Sequence, residues 1–515
     1  MARLWRKSRK SSCPLSWSLF VLAAFVTSCV ARSSDSRPER APGRGPLART
    51  SISRVKIRQQ HRLMNPYAIQ KIPISSSIRN KYVIGKVDDH DGDDAQDSRD
   101  ECVHNSTAHQ INRMLKEGGP ETRIILCQHA HISIDPHTEP IRFTAPRQAI
   151  LTVGNPDQNA RALIVIETGT SSTRYNGHLT TAVDASCPQC TGVQILSVQI
   201  DGGRTELGAV EGGDALVLLG GDGGEQLLRG CEISHARGFA LVHVEEGIGA
   251  ECEGVVISDN IFRDAGLSPL DLMLSSELAR LRDGPPPYRG RERPGLWTDG
   301  ISVACARSTI IDNAIVNVSG AGIILRGAPA TSVASNIITA TDRDMLVGIA
   351  AVPNPRFGLR DHEQAGLTIA FNQINAVSAM VRVGIATGSD LWAINRSKHV
   401  QGSVSFGTDI SSNHLRSGSG YFGYTFAFSE ARGIVVQHNT VAAAIWGAPT
   451  MACTRDLPMA PLVRNARTAR GSLQPEVESE PFEFLLCVGP GSKASERVAG
   501  REMTRHIISR GSRGM

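Results

Sequence analysis

Residues 306–329 read ARSTIIDNAIVNVSGAGIILRGAP, and the segment that follows, 330–352, reads ATSVASNIITATDRDMLVGIAAV. Aligned on Asn313 and Asn336, each opens with a short apolar alternation, breaks at a polar pair ending in Asn, resumes as a second alternation and turns into a third. Alternation of period two over four to six residues is the mark of a strand with one buried face. The pattern recurs in GVVISDNIFRDAG (254–266), AGLTIAFNQINAVSAMVRVGIATG (365–388) and ARGIVVQHNTVAA (431–443), within a degenerate repeat from about Cys190 to Trp446. No single unit could bury its apolar face, so stability must come from neighbour stacking, and the step from Asn313 to Asn336 is about one β-helix turn. The expected fold is all-β, a parallel β-helix or β-solenoid.

Asn260, Asn313, Asn336, Asn372, Asn413 and Asn439 recur at the same place in their units. There a side-chain amide can stack in a ladder and satisfy turn backbone groups. Glycine after most of them is expected to supply the unusual φ of a coil corner. A leucine-rich repeat would need a Leu spacing that is missing here, and a β-propeller would show no Asn ladder.

The N-terminus carries RLWRKSRK, an apolar stretch from Leu19 to Val26 and the small-residue site Cys29-Val30-Ala31. This is the pattern of a cleaved signal peptide over residues 1–31, and the apolar run is shorter than the roughly 20 residues of a spanning helix. Secretion is therefore expected, with no stable membrane association after cleavage. The net charge of +5 is unevenly placed. Residues 1–60 carry a surplus of 11 positive charges, which leaves the remainder near −6 and removes the argument for a nucleic-acid partner. Residues 32–99 read as a disordered linker, basic and then acidic; residues 100–447 as the β-helix; and residues 448–515 as a C-terminal cap strand with a loose tail.

An oxidising destination makes disulfides the default for the nine cysteines outside the leader. Four pairs are expected: Cys102 with Cys127, Cys187 with Cys190, Cys231 with Cys252 about one coil apart, and Cys453 with Cys487. Cys305 is then the odd thiol. The CPQC segment lacks a second ligand pair at zinc spacing. Sequons at Asn105, Asn317 and Asn395 suit a secreted glycoprotein. Solenoid ends need covers: Thr107-Ala-His-Gln110 reads as a capping box for a helix over the first coil, and FEFLLCV (482–488) as a strand over the last.

The units GCEISHARGFALVHVEEG, WTDGISVACARSTIIDNAIV and GAGIILRGAPATSVASNII resemble the right-handed parallel β-helix proteins of the pectin-lyase-like superfamily, secreted fungal members in particular, from about Asp100 through Val488. The resemblance implies three parallel sheets per coil, an inward stack of Ile, Val and Ala, and a groove on one sheet that cleaves or binds acidic polysaccharides, by hydrolysis or lyase elimination. Trp297-Thr-Asp299-Gly-Ile resembles the Asn-Thr-Asp-Gly segment of family 28 polygalacturonases. The chain departs from that family one coil on, where Ser319-Gly-Ala-Gly-Ile-Ile replaces the paired aspartates, and it lacks the Gly-His-Gly and Arg-Ile-Lys elements. Fold alone does not fix chemistry.

Stacking 213–217, 238–243 and 298–302 as successive strands would set Asp214, Glu245 and Asp299 along one edge, where two carboxyls about 5–9.5 Å apart can hydrolyse a glycoside. Asp299, Glu245 and His243 are the candidate catalytic groups, with His243 expected to alternate outward between Val242 and Val244. Arg326 and Arg382 are candidate contacts for uronate carboxylates. The insertion at 267–296, a helical leucine pattern followed by GPPPYRGRERPG, is expected to wall the groove and offer Tyr288 and Trp297 to a sugar chain. The rival account makes Asp299 a turn-capping aspartate and the arginines partners in surface ion pairs. The acidic run 88–100 lacks the order of a calcium loop and no metal-ligand set is legible, so no cofactor is expected, with calcium left open for a lyase. The expected partner is a polysaccharide, the expected state a monomer. The rival function is a non-catalytic glycan-binding or structural surface solenoid.

Overall fold

The computed structural model describes residues 102–154, 156–167, 177–210, 213–247, 252–266, 297–352, 365–388, 405–429, 431–445, 462–464 and 478–479. All lie in the compact unit Ser76–Met515; the unit Met1–Ser75, with the expected leader, falls outside them, as do the 267–296 insertion and segment 482–488. Among the described residues no helix is long and apolar enough to cross a membrane.

Each coil lays down three strands, all paired in parallel with the coils before and after. In one coil these are Thr309–Ile311, Ala314–Val318 and Ala321–Arg326; in the next, Ser332–Ala334, Ile337–Ala340 and Met345–Val352. We call the resulting columns the first, second and third sheets. The first two join as one 20-stranded sheet through the long strand Arg123–Ile134, and the third has 11 strands, running from Ile141–Arg142 to Glu478–Ser479. The interior is the stack that the alternation implies: Ile310, Ile315, Val318, Ile323 and Leu325 of one coil are each buried and touch their counterparts in one continuous core.

The corner between first and second sheets carries the amide ladder. Oδ1 of Asn336 accepts from the backbone N and the Nδ2 of Asn313, while Asn336 Nδ2 donates to Asn372 Oδ1 and to the Ile310 carbonyl, all at 2.9–3.1 Å. The same contacts link Asn260 to Asn313, Asn372 to Asn413 and Asn413 to Asn439. The unusual φ comes from the residue before each Asn, not from a glycine after it: Asp259, Asp312, Ser335, Phe371, Ser412 and His438 all lie at φ 56–59°.

In the third sheet, glycine acts differently. A Cβ on Gly348 would stand 2.6 Å from the Gly384 carbonyl and 2.9 Å from the Ile374 side chain, so it points inward, and Gly300, Gly322 and Gly384 occupy the same row. With Gly322 and Ile323 both inward, Ala321 and Ile324 turn out, onto a second buried apolar cluster with Val347, Ala350, Val383, Ala386, Tyr424 and Ala427. The sheet is thus buried on both faces along its C-terminal coils.

The first coil is covered by the expected helix, Ala108–Gly118. Thr107 Oγ1 accepts from Gln110 N and Gln110 Oε1 accepts from Thr107 N, and the helix buries Ile111 and Leu115. Gln148 Nε2 donates to the Leu115 and Gly119 carbonyls at its other end.

The described disulfides are Cys102–Cys127, Cys187–Cys190 and Cys252–Cys305. The expected Cys231–Cys252 pair is therefore wrong. Cys252 precedes a first-sheet strand, where Glu253 bridges Ala306 of the next coil, and this sets Cys305 beside it with a Cα separation of 4.9 Å. Cys231 lies at the other end of its strand, at the ladder corner, where its N–H donates to Asn260 Oδ1. It is a buried free thiol. Cys453 and Cys487 lie outside the described residues.

Candidate functional site

Of the sequence-derived candidates, His243, Asp299 and Arg326 come together on the outer face of the third sheet. His243 stands opposite Ser302, and Ser302 opposite Ile324. Before His243 the same row holds Leu218, which packs with Ala215 and Ala240 in an apolar cluster, then Asp184 two coils earlier and Arg142 three coils earlier, the last two 3.8 Å apart.

A continuous polar network crosses three coils. His243 Nδ1 lies 3.1 Å from Ser302 Oγ, Arg326 Nε donates to that same oxygen at 3.2 Å, and Arg326 Nη2 reaches Asp299 Oδ2 at 3.3 Å. Asp299 Oδ1 also accepts from Ala321 N of the next coil at 2.7 Å, so one carboxylate joins the Arg326 side chain and the neighbouring coil's backbone. Asp299 is 3% exposed, and burial pushes its carboxyl above the usual carboxylate range against the pull of Arg326 and the Ala321 N–H. The Arg326 side chain is 32% exposed, so the cation of the pair is the member that meets solvent.

Thr298, the residue before Asp299, is itself held by hydrogen bonds. Thr298 Oγ1 donates to the Gly238 carbonyl and accepts from the buried Arg204 at 2.6 Å, and Thr298 N donates to Ser319 Oγ. Phe239 packs edge-on against the His243 ring, centroids 5.1 Å apart. Neither Ser302 nor Arg204 stood out in the sequence. Ser302 could have been found as the outward residue one coil beyond His243; Arg204 lies in a short helix, Arg204–Leu207, with no repeat signal.

Several expectations are corrected by register. His243 does face away from the core, but it is 7% exposed, closed in on its sheet face. Ala240 is opposite Asp299, and Glu245 is five residues further along the strand, roughly 16 Å at ~3.3 Å per residue. That is too far for a pair of glycosidase carboxyls, which need about 5–9.5 Å. Asp214 misses the row by one residue, because Val217 pairs with Val242 and so sets Ala215 opposite Ala240. Arg382 is no surface contact: it is 1% exposed, and burial pulls its guanidinium down to about 10, with Asp344, Tyr421 and Tyr424 around it. Arg326 continues into Val352 in the next coil, and the inward Gly384 and outward Val383 place Arg382 off that line.

Trp297 is partly buried immediately before Thr298, whereas Tyr288 and Asn395 lie outside the described residues. Asn105 is exposed. Asn317 is 5% exposed at φ 56°, its Oδ1 accepting from Thr341 N, Thr341 Oγ1 and Asp342 N and its Nδ2 donating to Asp342 Oδ2, so it is a structural turn residue and not a free glycan acceptor. Among the described residues the one cluster of metal-ligand type is Cys102, His104 and Cys127, and its two cysteines are joined in a disulfide.

No protein-family model matches the chain, and no curated protein sequence does. Solved structures similar to it include DFA-IIIase from Arthrobacter chlorophenolicus A6, at 11% identity over 72% of this chain and 93% of that one, with a TM-score of 0.38. An alginate lyase from Paenibacillus sp. str. FPU-7 is 12% identical over 74% and 99%, with a TM-score of 0.32. An exopolygalacturonase from Thermotoga maritima is 10% identical over 69% and 83%, with a TM-score of 0.36. With TM-scores of 0.38 or below, these similarities carry no argument about this chain, whose fold rests on the strand pairings themselves.

Proposed function

We propose that this chain is a secreted β-helix protein that binds an acidic polysaccharide at Arg326, on the third sheet's outer face. The observation that carries the reading is Arg326: its guanidinium is fixed by the Asp299 carboxylate and the Ser302 hydroxyl, yet a third of the side chain meets solvent. A planar cation held this way offers a carboxylate its remaining N–H groups with little further loss of rotamer freedom. Trp297, the residue before Thr298, is assigned to the same sugar-binding face. The register argues against two-carboxylate hydrolysis, so recognition is the function the geometry supports best.

A second reading, cleavage by elimination, is favoured by His243, which shares Ser302 with Arg326. With the uronate carboxylate neutralised at Arg326, the imidazole would take the proton from the adjacent carbon, a double bond would form and the glycosidic oxygen would leave with its electron pair. Secretion, a monomeric state and the absence of a resident metal belong to the same proposal.

The test is binding of wild-type protein, Arg326→Met and Arg326→Lys to acidic and neutral polysaccharides, with and without calcium, while reducing ends and unsaturated products are scored. The expected result is binding confined to acidic chains, lost in Arg326→Met and weakened in Arg326→Lys. Unsaturated products would move the assignment to elimination, saturated reducing ends would overturn the argument from register, and no binding to any acidic chain would end the proposal.

A further inference from the structure

Two described sequons present opposite chemistry. Asn317 spends both its amide oxygen and its amide nitrogen on Thr341 and Asp342 inside a turn, so a sugar on Nδ2 would break that turn. Asn105 stands exposed in the strand Val103–Thr107, where its Oδ1 accepts from His131 N at 3.1 Å. A glycosylated asparagine keeps its carbonyl oxygen, so that bond survives modification.

The location matters as much as the exposure. Val103–Thr107 is the terminal strand of the 20-stranded sheet: it pairs in parallel with Arg123–Ile134, and among the described residues no strand pairs with its other edge. The capping helix begins directly after it at Ala108, covering the coil interior but leaving His104, Asn105 and Thr107 exposed. An open parallel edge is a template for another chain, and proteins blunt such edges with bulk or charge.

We propose that Asn105 carries an N-linked glycan that prevents edge-to-edge association by shielding the edge of Val103–Thr107 with which no described strand pairs. The assignment rests on the secretory reading above. Transfer would join Asn105 Nδ2 to the anomeric carbon of an oligosaccharide, break that carbon's bond to a lipid-linked pyrophosphate donor, release the lipid pyrophosphate and pass the amide proton to a base of the transferase.

The full chain is expressed in a eukaryotic secretory host with its own N-terminus and, in parallel, behind an unrelated secretion leader. Glycopeptides of the folded protein in the medium are mapped for wild type and Asn105→Gln. The expected result is a glycan on Asn105 and none on Asn317. Because Asn105→Gln also disturbs the His131 bond, folded wild-type protein is separately stripped with an endoglycosidase and passed over a sizing column, where a shift from monomer to larger species is expected. An unmodified Asn105, a glycan on Asn317 in folded monomer, or a stripped chain that stays monomeric would each overturn the proposal. Secretion only behind the unrelated leader, with Asn105 modified, would sink the secretory reading and leave the site standing.

Discussion

Arg326 Nη2 lies 3.3 Å from Asp299 Oδ2 across one coil, and of the two it is the arginine that reaches solvent. The acid that seemed the catalytic candidate is the buried support; the base beside it is the surface that a ligand would meet.

That inversion separates the two arginines. Arg326→Met is expected to weaken binding of an acidic polysaccharide by about tenfold or more, which is ~1.4 kcal/mol and within the range of one charge-assisted hydrogen bond. Arg382→Met is expected to leave affinity unchanged, since that side chain is 1% exposed. Titration calorimetry on variants with a verified melting transition decides it, and equal losses would return Arg382 to the site.

Asp299 should leave a signature in stability against pH. Burial raises its folded-state value above 3.8, so folding favours the neutral acid more than the unfolded chain does. Its contribution to stability is then fully present below 3.8 and is lost as pH rises through the folded value. The melting temperature of wild type minus that of Asp299→Asn is expected to fall from acid to neutral pH. A difference that grows with pH would mean that the Arg326 pair outweighs burial.

In the amide ladder, position sets the cost. Asn336→Ala removes the acceptor of Asn313 N and Nδ2 and the donor to Asn372 and Ile310; Asn313 N and the Ile310 carbonyl lose these partners, while Asn372 Oδ1 keeps the Asn336 N–H. At roughly 1–3 kcal/mol for an orphaned buried group, a loss of at least ~3 kcal/mol is expected. Asn439→Ala, at the last described rung, should cost less. Denaturant melts of the two variants give the comparison.

Cys231 occupies the rung before Asn260. Its Sγ lies 3.5 Å from the Ile195 carbonyl, and Ile195 is the register partner of Leu228, whose carbonyl accepts from Asn260 Nδ2. Cys231→Asn should therefore extend the ladder and raise stability by about 0.5–1.5 kcal/mol. The native thiol, pushed up to about 11 by burial, should resist alkylation until the protein is unfolded. A lower melting temperature in the variant would show that the corner is sized for sulfur.

The Cys252–Cys305 bond closes 53 residues, a span that includes the whole 267–296 insertion. Cys305→Ala is expected to cost about 2–4 kcal/mol and to leave Cys252, 2% exposed, as a free thiol that alkylates once the protein is unfolded. Non-reducing peptide mapping checks the pairing directly, and a Cys231–Cys252 peptide would refute it.

The coil period, the inward Ile and Val stack, the Asn ladder and the capping helix were all legible in the sequence by itself, because each is written in near-neighbour or repeating residues: Thr107 with Gln110, or Asn313 with Asn336. What lies opposite what was decided only by the tertiary structure. The paired strands start 23 residues apart from Thr309 to Ser332, 36 from Ser332 to Thr368 and 41 from Thr368 to Asp409, and a strand's own alternation does not reveal how its connecting turn sets the register. Hence Cys252 met Cys305 and not Cys231, and Glu245 fell five residues from the Asp299 row. The inward glycines at 300, 322, 348 and 384 reset the alternation within the third sheet, so that Ile323 faces inward beside Gly322 and Ile324 turns out. Facing is settled by the close approach of neighbouring backbones, and those neighbours are distant in the chain.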